Sequence, residues 1–197
     1  MEKYIMTNPP IILVAHAALP TELCFALIDK QCDVSEDLIE YTDEGVECYP
    51  LIEGTQDHSD AMEWIEQFLP WDDDFGKISN MQLMRHGMET STPWMCDDIE
   101  SGDTGKVIFN LNEGFVGGNL TLDGHTFISF TGSMVAFNNS TERWHGIDPV
   151  LTGERFSLVI RFTRADNYVE PENTDIEEET PDVQEPVLST PKVILRN

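Results

Sequence analysis

Positive charge is what this sequence most lacks. Lys and Arg total 11 against 37 Asp and Glu, a net charge of −26. Such a surface repels nucleic-acid phosphates and anionic lipid heads, which excludes a conventional DNA, RNA or membrane-surface binder. An acidic protein that imitates nucleic acid stays open. No apolar run approaches the length of a membrane span. Cysteine is sparse, and Cys24, Cys32, Cys48 and Cys96 form no C-x-x-C pair. That pattern predicts a reduced, cytosolic chain with no disulfide framework, although four thiols leave pairing in an oxidising compartment open. The first twenty residues lack a signal peptide's long apolar stretch after a basic start. P-loop, nucleophile-elbow, HExxH and Cys-rich zinc patterns are absent, as is any internal repeat.

What is present suffices for a real core. Hydrophobic residues make up 40% of 197 positions, consistent with one domain. Ile11 to Val14 reads as a strand. Pro20 opens a helix over 21–30, with Leu23, Leu27 and Ile28 at helical spacing. Residues 33–57 are acidic and carry no clear period. Asp57 or Ser59 is positioned to cap a second helix, which runs over 61–69 and stops at Pro70; an acidic turn follows through Gly76.

From residue 77 the period becomes that of strands. Short β-rich segments at 77–86, 106–112, 118–122, 125–130, 133–137, 143–147 and 154–162 alternate with Gly, Asn, Asp and Pro turn signals. Helices followed by closely spaced strands predict a mainly β fold, a jelly roll with the N-terminal helices packed on it. After Arg164 the composition turns to Glu, Asp, Pro and Thr. Residues 1–164 therefore read as the domain and 165–197 as an acidic, extended tail. The tail is an expected handle for a protein partner or assembly, with Val193, Ile194 and Leu195 able to add a strand to a neighbour's sheet edge.

The densest signal is WHGIDPVLTGERFSLVIRF. It sets His145 on one strand and Arg155 ten residues later on the next, which a jelly roll is expected to make neighbours. An imidazole near the barrel mouth suits iron, and a deeper guanidinium suits the far carboxylate of an acid ligand. HGIDPVLTGERFSL resembles the distal signature of the Fe(II)/2-oxoglutarate dioxygenases in their prolyl-hydroxylase-like branch, and VIFNLNEGFVGGNLTL resembles that branch's upstream strand, turn and Gly-Gly-x-Leu. The likeness spans roughly 11–164 and is tightest over 107–162. It implies a double-stranded β-helix, Fe(II) and 2-oxoglutarate as cofactors if the protein is active, and Arg155 as the group receiving the cosubstrate's carboxylate.

The same resemblance implies an iron triad of His-x-Asp plus a distal His. In RHGMETSTPWMCDDIE it places Met95 where the first His belongs, Cys96 at x and Asp97 at the carboxylate. Asp97 and His145 are then the candidate metal ligands, with the third ligand missing. A neutral thioether is a soft ligand that favours Cu(I) over ferrous iron, and Met95 reads as an apolar plug. Substitutes are Cys96 with Asp98 in a shifted register, or His86 from the preceding strand. His16, His58 and His125 have no partners at ligand spacing. Gly117-Gly118 reads as a tight turn or bulge, not a phosphate cradle.

Two functions follow. One is a degenerate oxygenase fold serving as a non-catalytic binding or structural module. It resembles dioxygenase-like proteins encoded by bacteriophages, which implies a place in the host cytoplasm or virion. The other is an active 2-oxoglutarate-dependent hydroxylase using Asp97, His145 and Arg155, with Thr163 or Asn110 contacting the cosubstrate.

Overall fold

The computed structural model describes residues 11–69, 75–97, 102–139, 143–163 and 192–196. Chain order is β1 (Ile11–Ala15), α1 (Thr21–Asp33), a 3-10 turn at Glu36–Leu38, β2 (Glu40–Tyr41), β3 (Glu47–Pro50) and α2 (Gln56–Ile65), which runs on as a 3-10 turn to Phe68. The strands β4 (Lys77–His86), β5 (Thr92–Cys96), β6 (Asp103–Asn110), β7 (Val116–Gly117), β8 (Leu120–Leu122) and β9 (His125–Phe127) follow. The last elements are β10 (Met134–Asn138), β11 (Trp144–Ile147), β12 (Val150–Thr152), β13 (Arg155–Thr163) and β14 (Lys192–Arg196).

Eight strands form the larger sheet in the order β14, β1, β10, β6, β13, β4, β3, β2, and β5, β11, β8 and β9 form a smaller one. Alternation along the strands gives the larger sheet two buried faces. On one, Leu83, Phe109, Leu158 and Ile160 receive Cys24 and Leu27 of α1 and Ala61 and Ile65 of α2. On the other, Ile12, Ile108, Val135, Phe137 and Val159 meet Leu120, Leu122 and Ile147 of the smaller sheet. The result is a mainly β jelly roll with the N-terminal helices laid on its outer face.

Local departures from the sequence reading have physical causes. The second helix begins at Gln56 because Thr55, not Asp57 or Ser59, is the cap, its hydroxyl accepting from the His58 N–H at 3.3 Å. Asp57 is occupied elsewhere: its carboxylate takes Lys30 Nζ of α1 at 2.5 Å and the Tyr49 hydroxyl of β3. One acid thus ties both helices to the sheet. Gly117 ends β7 and Gly118 begins the link to β8. A Cβ on Gly117 would lie 2.2 Å from the Pro149 carbonyl oxygen, and both residues hold positive φ.

The closing segment over 192–196 pairs parallel with β1, Leu13 opposite Ile194, so it extends this chain's own sheet rather than a neighbour's. Most of the acidic tail, residues 165–191 and 197, lies outside the described residues, as do Asp98 and most of the acidic turn after Pro70.

Candidate functional site: a cationic pocket between the sheets

The pocket lies between the two sheets, lined by strands of both. Gln82, Met84 and His86 of β4, Lys106 and Ile108 of β6, and Arg155, Ser157, Val159 and Arg161 of β13 form its floor. Thr92 and Met95 of β5 and His145, Gly146 and Ile147 of β11 form its roof. The cavity is about 70 Å³, room for several water molecules. Gly146 lets the roof close, because a Cβ there would lie 3.0 Å from the Thr92 carbonyl oxygen and 3.1 Å from that of Pro93.

The spacing of His145 and Arg155 predicts neighbouring strands. They lie instead in facing sheets, because β12 intervenes and carries the chain from the smaller sheet to the larger. The consequence is that they address one cavity from opposite walls.

Arg155 is the largest fully buried side chain, 1% exposed. Its Nη2 donates to Asn110 Oδ1 at 2.7 Å and its Nη1 to Ser157 Oγ at 3.1 Å. Both partners are neutral, Nε is unpartnered, and no carboxylate pairs with the guanidinium among the described residues. Burial lowers it to about 10, which leaves it charged at neutral pH. Gly118 makes room for its stem, since a Cβ there would sit 3.3 Å from Arg155 Cδ. Asn110 is itself held by Ser129 and Ser133 at 3.1 and 3.0 Å. Beside Arg155 in the register stands His86, lowered to about 3 by burial and then by the Arg155 charge. Its Nε2 is 3.0 Å from Thr92 Oγ1, so this ring is a neutral wall of the pocket.

At the other end, the candidate metal ligands Asp97 and His145 converge, with Asp97 Oδ2 at 3.6 Å from His145 Nε2. A third group stands between them. Lys106 Nζ donates to Asp97 Oδ1 at 2.8 Å and to His145 Nε2 at 2.8 Å. All three side chains are nearly inaccessible, Lys106 at 6%, Asp97 at 4% and His145 at 5%. Burial alone would raise the Asp97 carboxyl, but the ammonium outweighs it and holds Asp97 below the ordinary range. Burial lowers Lys106 while Asp97 pulls it back. His145 falls to about 4, through burial and then the Lys106 charge. At neutral pH it is therefore an uncharged ring, with Phe137 packed at 5.1 Å between ring centroids.

Met95 lies directly opposite His145 in the β5–β11 register. It is 40% exposed and lines the cavity's mouth, so it is not the apolar plug expected from the sequence. The filling is done by Lys106 from the opposite sheet. Cys96 pairs with Trp144 and so points to the other face of the sheet from Met95 and His145. His86 is engaged with Thr92, Thr163 donates to the Gly102 carbonyl at 3.1 Å, and Asn110 serves Arg155.

The donor set does not fit Fe(II). An ammonium bridges Asp97 and His145, and among the described residues no three His, Cys, Asp or Glu side chains group to hold a metal. The Arg155 end does fit a carboxylate, because a buried guanidinium with an orphaned N–H and only neutral partners lacks its natural counter-charge. Lys106 carries no local signal of this role: in the sequence it is only the lysine that opens the apolar run KVIF.

No protein-family model matches the chain, and no curated protein matches it significantly. Solved structures do. A Pseudomonas putida prolyl-4-hydroxylase superposes with a TM-score of 0.63 at 21% identity, covering 81% of this chain and 94% of that one. A viral collagen prolyl hydroxylase from Paramecium bursaria Chlorella virus-1, solved with 2OG, gives 0.60 at 15% identity over 81% and 98%. An oxidoreductase of the 2OG-Fe(II) oxygenase family from Burkholderia pseudomallei gives 0.60 at 14% over 80% and 85%. The fold is that of the 2OG-Fe(II) oxygenases. Within that class, the architecture superposes on prolyl hydroxylases over most of their length.

Proposed function

We propose that this protein is a non-catalytic binding module on the 2OG-Fe(II) oxygenase fold, whose pocket takes a small carboxylate ligand of the 2-oxoglutarate type without metal. The observation that carries the reading is Arg155: a fully buried guanidinium held, among the described residues, by Asn110 and Ser157 with no acid to neutralise it. Burying a charge unpaired is costly, and a bound carboxylate removes that cost by a bidentate contact. The Met95 thioether at the first-histidine position and the ammonium between Asp97 and His145 speak against ferrous chemistry in the same cavity.

The test is calorimetry of the purified full chain against 2-oxoglutarate in excess EDTA, with a succinate-release assay under Fe(II), ascorbate and oxygen beside it. The expected result is saturable binding in EDTA, lost in Arg155→Met, and no succinate above background. Succinate formation dependent on Fe(II) overturns the non-catalytic reading. Absence of binding in EDTA overturns the ligand assignment.

A further inference from the structure

We infer that Lys106 is the pocket's resident cation: its ammonium takes the place of a metal ion with a single positive charge, holds Asp97 and His145 together, closes the site to metals, and offers its remaining N–H to the ligand. The last element rests on the proposed carboxylate pocket; the others stand on geometry alone. An ammonium has three donors. Two are spent on Asp97 Oδ1 and His145 Nε2, each at 2.8 Å. The third belongs to a side chain that lines the cavity.

The placement follows from register. Lys106 lies opposite Arg161 on β13 and opposite Phe137 on β10, so it rises from the middle of the larger sheet toward the roof. Asp97 and His145 descend from the smaller sheet's side. A lysine stem spans the gap between sheets and delivers one positive charge to the point where both ligands aim. Arg161 reinforces it, with Nη1 at 3.9 Å from Asp97 Oδ1 and 3.6 Å from Asp103 Oδ2.

Charge balance makes the replacement coherent. Asp97 is nearly inaccessible, and its other oxygen, Oδ2, accepts no hydrogen bond among the described residues. Without Lys106 only the more distant Arg161 would balance this carboxylate, and burial disfavours its charged form. With Lys106 the trio carries no net charge, and a metal must expel the ammonium before it can bind. Restoring the missing histidine alone is therefore not enough to restore a metal centre.

The experiment uses Co(II) as the probe, read by its visible ligand-field bands, on the full chain and on Met95→His, Met95→His/Lys106→Ala and Met95→His/Lys106→Met, each checked for fold by circular dichroism. The wild type and the single variant are expected to show no stoichiometric Co(II) bands. Both double variants are expected to show them. Stoichiometric binding by the single variant overturns the inference, as does its absence from folded double variants. A wild-type measurement needs no variant to fold: side-chain nitrogen NMR is expected to show an exchange-protected Lys106 ammonium with a cross-peak to the His145 ring, and a freely exchanging ammonium overturns the assignment. For the ligand-side element, 2-oxoglutarate in EDTA is expected to bind Lys106→Met about tenfold more weakly than wild type, the scale of one charge-assisted hydrogen bond. Equal binding overturns that element. If the wild type binds no 2-oxoglutarate while the cobalt results hold, it is the proposed function that fails, and the cation assignment stands.

Discussion

Replacing His86 by glutamine separates two contributions to acid stability. His86 is 1% exposed and held at about 3 by burial and the adjacent Arg155 charge. Its folded pKa lies below its unfolded one, so the unfolded chain takes up a proton that the native chain refuses. Stability is therefore intact above the unfolded value and drains away as the pH falls through it. Over the interval from about pH 6.5 to 4.5 the loss from this ring alone is about 2 kcal/mol. His86→Gln preserves a hydrogen-bonding partner for Thr92 and removes the titration. Other pH-dependent terms are common to both proteins and cancel in the difference, including the relief of self-repulsion in a chain of net charge −26 and the titration of His145. Urea unfolding at a series of pH values is the assay. With a slope of about 2 kcal/mol per molar, the wild-type midpoint should fall relative to the variant by roughly 1 M across the interval. Midpoints that move in parallel would show that His86 titrates as an exposed imidazole, and the picture of a neutral ring wedged beside an uncompensated guanidinium would be wrong.

Two further outcomes are expected. Gly105→Ala should destabilise the domain by about 1–3 kcal/mol, since overpacking has that cost: the new Cβ would lie 2.7 Å from the Phe75 ring and 3.0 Å from the Phe137 carbonyl oxygen, and an unchanged thermal midpoint would refute the packing described. Thiol titration with an aromatic disulfide in the native state near pH 8 should modify Cys32, which is exposed, and Cys96, which is half-buried, well before Cys24 and Cys48. Burial pushes both of the latter up to about 11, so rapid reaction of all four would show that the helix-covered core opens readily.

Much of the architecture is written in local pattern. The strand at 77–86 reads directly from its residues because alternation and the flanking Gly76 and Gly87 agree, and it is observed as Lys77–His86. The helix near residue 60 starts earlier than its local residues suggest, because Asp57, a good cap in isolation, is recruited by Lys30 across 27 residues of sequence. Arg155 stands out by its spacing from His145, but spacing cannot say whether two strands share a sheet or face each other, which is decided by the β12 crossover. Lys106 is the instructive miss. Its partners Asp97 and His145 lie 9 and 39 residues away, and nothing local distinguishes a lysine that reaches across a barrel from one that lines its rim.

A charge borne on a covalent stem differs from a borrowed ion in what the cell can do to it. Chelators cannot strip it, peroxide cannot change its valence, and no loading step precedes its use. The positive centre between Asp97 and His145 is supplied at translation, so it is the same under iron starvation as under plenty.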